Sequence, residues 1–140
     1  MKISKTFIND LLIIEPELFK DERGFFYESY NKNNFDNVIN LVFVQENESK
    51  SYKGVVRGLH FQIPPFEQAK LVRCVSGKIL DISVDLRKNS KTYGKYFSVE
   101  LSSENNKQLF IPKGFAHGFQ VLSETANVNY KVDNFYNPKS

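Results

Sequence analysis

Lys78-Ile79-Leu80-Asp81-Ile82-Ser83-Val84-Asp85-Leu86-Arg87 alternates by twos: Leu80, Ile82, Val84 and Leu86 share one face, and Asp81, Ser83, Asp85 and Arg87 share the other. That period belongs to a β-strand, because successive side chains leave a pleated backbone on opposite sides. Gly77 precedes the run and Lys88-Asn89-Ser90-Lys91 follows it as a turn. Outward from there the same reading recurs. Tyr96–Leu101, Lys107–Pro112, Gly114–Leu122 and Asn127–Val132 are strand candidates, and Phe25–Tyr30, Leu41–Gln45, Val55–Gln62 and Lys70–Val75 are shorter ones. The one helical candidate is a turn over Asn31–Val38, with Asn31 as its N-cap. Short strands recurring every ~8–12 residues with turn signals between them predict an all-β sandwich or barrel. For one domain of this size, a jelly roll of antiparallel strands fits.

Composition bounds the function. The chain has 140 residues, 41% of them hydrophobic and 25% charged, which is the profile of one ordinary globular domain. Net charge is +3, from 19 basic and 16 acidic residues, with no basic arm. So mild an excess suits a small anion and predicts neither a nucleic-acid nor a membrane partner. One cysteine, Cys74, excludes an intramolecular disulfide and a multi-cysteine zinc site, and fits a reduced, cytoplasmic setting. No apolar run approaches the ~20 residues of a membrane span. Leu11-Leu12-Ile13-Ile14 lies between Asp10 and Glu15, which is not a signal-peptide pattern.

The candidate chemistry is sparse. His60 and His117 are the only histidines and stand far apart, so the close His pair of a metal-binding barrel is missing and no metal is expected. Acid–base work is the better use of the two imidazoles. In Arg57-Gly58-Leu59-His60-Phe61-Gln62, strand parity turns Arg57 and His60 to opposite faces unless Gly58 holds a bulge that brings both into one cavity. Taken singly, each candidate also has a plainer reading. His117 shares a face with Phe115, Phe119 and Val121, as a core residue would; Tyr130 shares one with Val128 and Val132. Lys70 reads as a strand-end lysine, Arg23 as part of a turn, and Cys74 as a small core residue.

Taken together, the runs carry a resemblance. Asp21-Glu22-Arg23-Gly24-Phe25-Phe26-Tyr27-Glu28 opens it, followed by Gln45-Glu46-Asn47 and Val56-Arg57-Gly58-Leu59-His60-Phe61-Gln62. Gln68-Ala69-Lys70-Leu71-Val72-Arg73, Asp85-Leu86-Arg87, the run from Gln108 to Phe119 and Tyr130-Lys131 complete it. In this order and spacing they resemble the dTDP-4-dehydrorhamnose 3,5-epimerase family over nearly the whole chain. The resemblance implies a cupin-like jelly roll, a homodimer with strands crossing between subunits, and no metal or organic cofactor. It also implies roles: His60 as catalytic base, Tyr130 as proton donor, and Arg57 and Lys70 beside the reacting part of the sugar. Arg23, Glu28, Gln45, Asn47 and His117 match further substrate-binding positions.

The implied substrate is a nucleotide-linked 4-keto-6-deoxy sugar, epimerised at C3 and/or C5 (dTDP-4-dehydro-6-deoxyglucose to dTDP-4-dehydrorhamnose). The C4 ketone makes the neighbouring C–H bonds acidic, an imidazole can take the proton, and Arg57 or Lys70 would hold the enolate oxygen. A phenol, with an ordinary pKa near 10, stays protonated and can return a proton from the other face. No redox change occurs, so no nicotinamide is required. Two alternatives stand beside this reading: another nucleotide 4-keto sugar, such as a GDP-linked heptose, or a non-catalytic sugar-nucleotide-binding module. Residues 1–140 are expected to form a single domain without the C-terminal extension common in the family. That extension usually carries the carboxylate that orients the catalytic histidine, and Asp81 and Asp85 are the candidates to replace it.

Overall fold

The computed structural model describes residues 1–139. Its elements in chain order are β1 (Lys2–Lys5), β2 (Leu12–Glu15), β3 (Phe19–Asp21), β4 (Gly24–Phe26), α1 (Lys32–Phe35), β5 (Gln45–Tyr52) and β6 (Val56–His60), then β7 (Lys70–Ser76), β8 (Lys78–Asp85), β9 (Tyr96–Ser102), β10 (Gln108–Ile111), β11 (Phe115–Val121) and β12 (Thr125–Val132). They form a six-stranded sheet in the order β1-β2-β10-β7-β12-β5, a four-stranded sheet β6-β11-β8-β9, and the hairpin β3-β4. From β7 onward the chain passes repeatedly between the two large sheets, so β10 inserts between β2 and β7, β11 between β6 and β8, and β12 between β7 and β5. All pairings are antiparallel. This is the jelly roll that the strand spacing predicted.

The main core lies between the sheets. Val72, Leu109 and Val128 of the larger sheet meet Ile79, Leu101, Phe119 and Val121 of the smaller one. Each such side chain, fully buried, contributes about 1.5–3 kcal/mol. A second cluster covers the other face of the larger sheet, where Phe35 and Ile39 at and after α1 pack on Ile14, Leu71 and Phe110. β10 and the first half of β7 are therefore buried on both faces, which is why Leu109-Phe110-Ile111 and Leu71-Val72 are apolar without alternating. α1 is the single turn expected, and the Asn31 Oδ1 accepts from the Asn33 N–H at 3.0 Å as its cap.

Three strand expectations change, the first being that Phe25–Tyr30 is strand only at Phe25 and Phe26, the end of β4. β8 presents Ile79, Asp81, Ser83 and Asp85 to the interior, while Leu80, Ile82 and Val84 are only half-buried on the outside. The polar face of the most regular strand thus points into the barrel. β8 also ends at Asp85, because that carboxylate accepts the Arg87 backbone N–H at 3.0 Å and turns the chain. Leu41–Val44 is not a strand; β5 begins at Gln45 and runs to Tyr52 through Gln-Glu-Asn-Glu-Ser-Lys-Ser-Tyr, paired along all eight residues with β12. Its charged side chains suit an edge strand.

Candidate active site

A cavity of about 510 Å3 opens at one end of the barrel, and His60, Lys70, Tyr130, Gln45, Asn47 and Phe115 are among its lining side chains. Register explains the grouping. On β12, Tyr130 stands directly opposite Asn47 and Val132 opposite Gln45; on the other side, Val132 stands opposite Lys70 of β7. Directly opposed residues share a face, so Gln45, Asn47, Tyr130 and Lys70 all project from the inner face of the larger sheet. The Lys70 Nζ lies 5.5 Å from the centre of the Tyr130 ring, within the range of a cation–π contact.

His60 comes from the other sheet, at the end of β6. His117 of β11 pairs with His60, and Phe119 with Arg57, so Gly118 alone faces both Gly58 and Leu59. That extra residue is the bulge expected at Gly58. His117 and Phe119 lie on one face of β11, so the bulge turns Arg57 and His60 to the same side. Gly58 has φ +101°, and a Cβ there would stand 2.6 Å from the His117 carbonyl oxygen. Only glycine fits that backbone contact. Arg57 does not complete the expected grouping, because its Nε donates to the Ser51 Oγ of β5 at 2.7 Å, and its side chain does not line the cavity.

His117 is buried. Its Nε2 and the Asp81 Oδ2 are 2.7 Å apart, and Asp81 is fully enclosed. Asp85 accepts from Arg87, Ser90 and Thr92. Neither carboxylate therefore serves His60, contrary to the expectation that one of them would; the pleat sends both to other partners. Among the described residues the His60 ring has no hydrogen-bond partner. Lys70 carries a lowered pKa, pushed down by burial and partly restored by the Asp81 carboxylate.

Arg23 and Glu28 lie outside this cavity. Arg23 pairs with Asp21 at 2.7 Å at the tip of the exposed β3-β4 hairpin, and Glu28 accepts from the Asn31 amide at 2.6 Å. Conversely, the chain after β12, to which the sequence analysis assigned no site residue, contributes to the cavity. The Tyr136 N–H donates to Gln45 Oε1 at 3.2 Å, and the Asn137 N–H to Gln62 Oε1 at 3.0 Å. These bonds set the exposed Tyr136 ring at the cavity mouth. The available signal was the Asn-rich Asn134–Asn137 run, whose side chains and backbone cap turns. Among the described residues, no three His, Cys, Asp or Glu side chains gather as metal ligands.

The family model for dTDP-4-dehydrorhamnose 3,5-epimerase matches residues 5–140. The chain belongs to that family. The epimerase of Shigella flexneri is 56% identical over 138 residues, covering 97% of this chain and 76% of that protein. The crystal structure of the epimerase from Elizabethkingia anophelis superposes with a TM-score of 0.94 at 56% identity, covering all of this chain (100%) and 78% of that one. A second epimerase, from Legionella pneumophila and in complex with dTDP-4-keto-L-rhamnose, gives a TM-score of 0.96 at 48% identity, over 99% of this chain and 74% of that one. The cupin-like jelly roll implied by the sequence resemblance is thereby the fold of the family and of this epimerase-family chain.

Proposed function

We propose that the chain epimerises C3 and C5 of dTDP-4-dehydro-6-deoxyglucose, giving dTDP-4-dehydrorhamnose. The observation that supports this most directly is that His60 and Tyr130 reach one cavity from opposite sheets. Inverting a carbon requires a base on one side and an acid on the other, and two walls of a barrel provide that. His60 removes the proton next to the ketone, and the electron pair moves onto O4. The Lys70 ammonium, held in the wall of the cavity, stabilises the enolate oxygen. Tyr130 then gives its phenolic proton to the opposite face of the same carbon. His60 returns its proton to water, the phenolate regains one, and the cycle repeats at the second carbon. Gln45 and Asn47 hydrogen-bond the sugar.

Several features support a homodimer. Every residue of β6 is exposed in the single chain, including Val56 and Leu59, and Phe61 and Ile63 continue the apolar surface. Phe19, Phe25 and Phe26 of the β3-β4 hairpin are likewise exposed. A hairpin that carries Arg23 and Glu28 away from its own cavity fits one that completes the cavity of a second subunit. The buried free thiol of Cys74 suits a cytoplasmic setting. Complementation tests the whole reading. Arg23→Ala and His60→Ala should each abolish most turnover and most deuterium wash-in at C3 and C5. Mixed, dissociated and reassociated at equal concentration, the two should regain about a quarter of wild-type turnover, because half the dimers then hold one intact site. No recovery would remove Arg23 from the partner's site, and undiminished wash-in by His60→Ala would remove His60 as the base.

A further inference from the structure

Asp81 is a carboxylate with no exposure, on the inner face of β8 beside Ile79 of the main core. Such a group is costly to enclose unless a cation or several donors compensate it. Its Oδ2 meets the His117 Nε2 at 2.7 Å, but its Oδ1 is buried with no hydrogen-bond partner among the described residues. Ser83, the next inward residue of β8, likewise leaves its Oγ unpaired. One contact to an imidazole, with the second oxygen unpaired, is a thin offset for burying a carboxylate. Lys70 projects into the same interior from the inner face of β7, where Val72 and Cys74 join the core, and it feels the Asp81 charge.

We propose that Asp81 is a positioning residue of this site: anchored by His117, its buried carboxylate supplies the counter-charge that keeps the Lys70 ammonium protonated at the cavity wall. The other groups around Lys70 do not take that role. Tyr130 of β12 offers a ring face, His60 of β6 an imidazole, and Gln45 and Asn47 of β5 neutral amides. Asp133, beyond β12, is engaged by Lys113 at 3.4 Å and by the Ala69 N–H at 2.7 Å. The pull of Asp81 against the effect of burial on Lys70 agrees with this assignment. A lysine in an apolar pocket without such a partner can fall to a pKa of about 5–6, and an amine that has lost its proton cannot stabilise an enolate.

The kinetic part of the proposal rests on the epimerase reading; the titration part does not. Titration of the Lys70 13Cε resonance, assigned by its loss in Lys70→Arg, reads the ammonium directly in the full chain. Asp81→Asn keeps the acceptor for His117 and removes the charge. The Lys70 midpoint should then fall by about 2 pH units, and the alkaline limb of kcat should fall with it while KM changes little. Adding Lys70→Arg to Asp81→Asn should restore that limb, since a guanidinium keeps its proton. A folded Asp81→Asn protein with an unmoved Lys70 midpoint overturns the proposal. Should Asp81→Asn fail to fold, Asp81→Ser, a smaller neutral replacement, is read in the same way: a fallen Lys70 midpoint supports the counter-charge and an unmoved one refutes it. Absence of any turnover or wash-in by the wild type would sink the epimerase reading and leave the titration standing.

Discussion

Gly58→Ala tests whether the β6 bulge places His60. A Cβ at Gly58 would lie 2.6 Å from the His117 carbonyl oxygen and 2.8 Å from the Gly118 Cα, with φ at +101°. Backbone cannot rotate away as a side chain can, so β6 must separate from β11 by roughly 0.5 Å or more to reach ordinary contact. The positive φ costs about 1–2 kcal/mol in any L-residue with a side chain. Forcing the strands apart adds about 1–3 kcal/mol. Gly54→Ala is the matched control, because Gly54 also has positive φ, +83°, but its added Cβ would meet nothing within 4 Å. The control should therefore lose only the conformational part. Urea denaturation of both variants separates the two contributions through the midpoint at constant m.

The same displacement should reach the chemistry. His60 is two residues beyond Gly58 on the strand that moves, and a misplacement of 1 Å can cost about 100-fold in rate. Half of that shift should cost Gly58→Ala about 10-fold in deuterium wash-in, while Gly54→Ala stays near wild type. If the two variants prove equally stable and equally active, the bulge does not position the base and the argument from register fails.

Other outcomes follow from single contacts. Tyr130→Phe should separate exchange from inversion: label uptake survives, because His60 can return a solvent-derived proton to the original face, while product with inverted configuration is lost; equal and small effects on both, followed by NMR, would return Tyr130 to packing. Burial pushes the Cys74 thiol up to about 11, so roughly one molecule in a thousand is thiolate at pH 8 and iodoacetamide should label the native protein far more slowly than the urea-unfolded chain; equal rates by mass spectrometry would contradict this. Burial alone would raise the Asp85 carboxyl, but Arg87, Ser90 and Thr92 together hold it well below its ordinary 3.8. A lowered folded-state pKa stabilises above the unfolded value and is lost as pH falls through the folded one. Asp85→Asn should therefore cost about 3 kcal/mol at pH 7 and flatten the decline in stability below pH 4; an unchanged acid limb would refute it.

How much of this was legible depended on what each strand does. Alternation located β8, β9 and β12 to within a few residues, because one of their faces differs chemically from the other. β5 escaped because Glu46, Glu48 and Lys50 leave it no apolar face; its place is set by backbone pairing with β12, which no side-chain period reports. β8 was found but its polar face points inward. Alternation shows that two faces differ without showing which is inside, and an interior that holds a reactive cavity inverts the usual assignment. The partner of His117 was out of reach for the same reason: Asp81 lies 36 residues away in the chain and meets it only because Phe119 pairs with Asp81 and His117 with Ser83 across β11 and β8.

The strand that carries His60, the proposed base, is the least protected in the barrel. β6 closes one edge of the four-stranded sheet, is paired among the described residues only with β11, and is exposed along its whole length in the single chain. A catalytic imidazole needs placement to a fraction of an ångström, and an edge strand without cover does not ordinarily supply it. Two features offset this. The Gly58 bulge locks β6 against the backbone of His117 and Gly118 from one side. From the other, the proposed dimer would cover Val56, Leu59 and Phe61, and the same association would bring a second hairpin's Arg23 to the cavity. On that reading, assembly and catalysis are coupled through one strand: the surface that drives association is the outer surface of the element that holds His60, so the base is held rigid only in the dimer that also completes the substrate site.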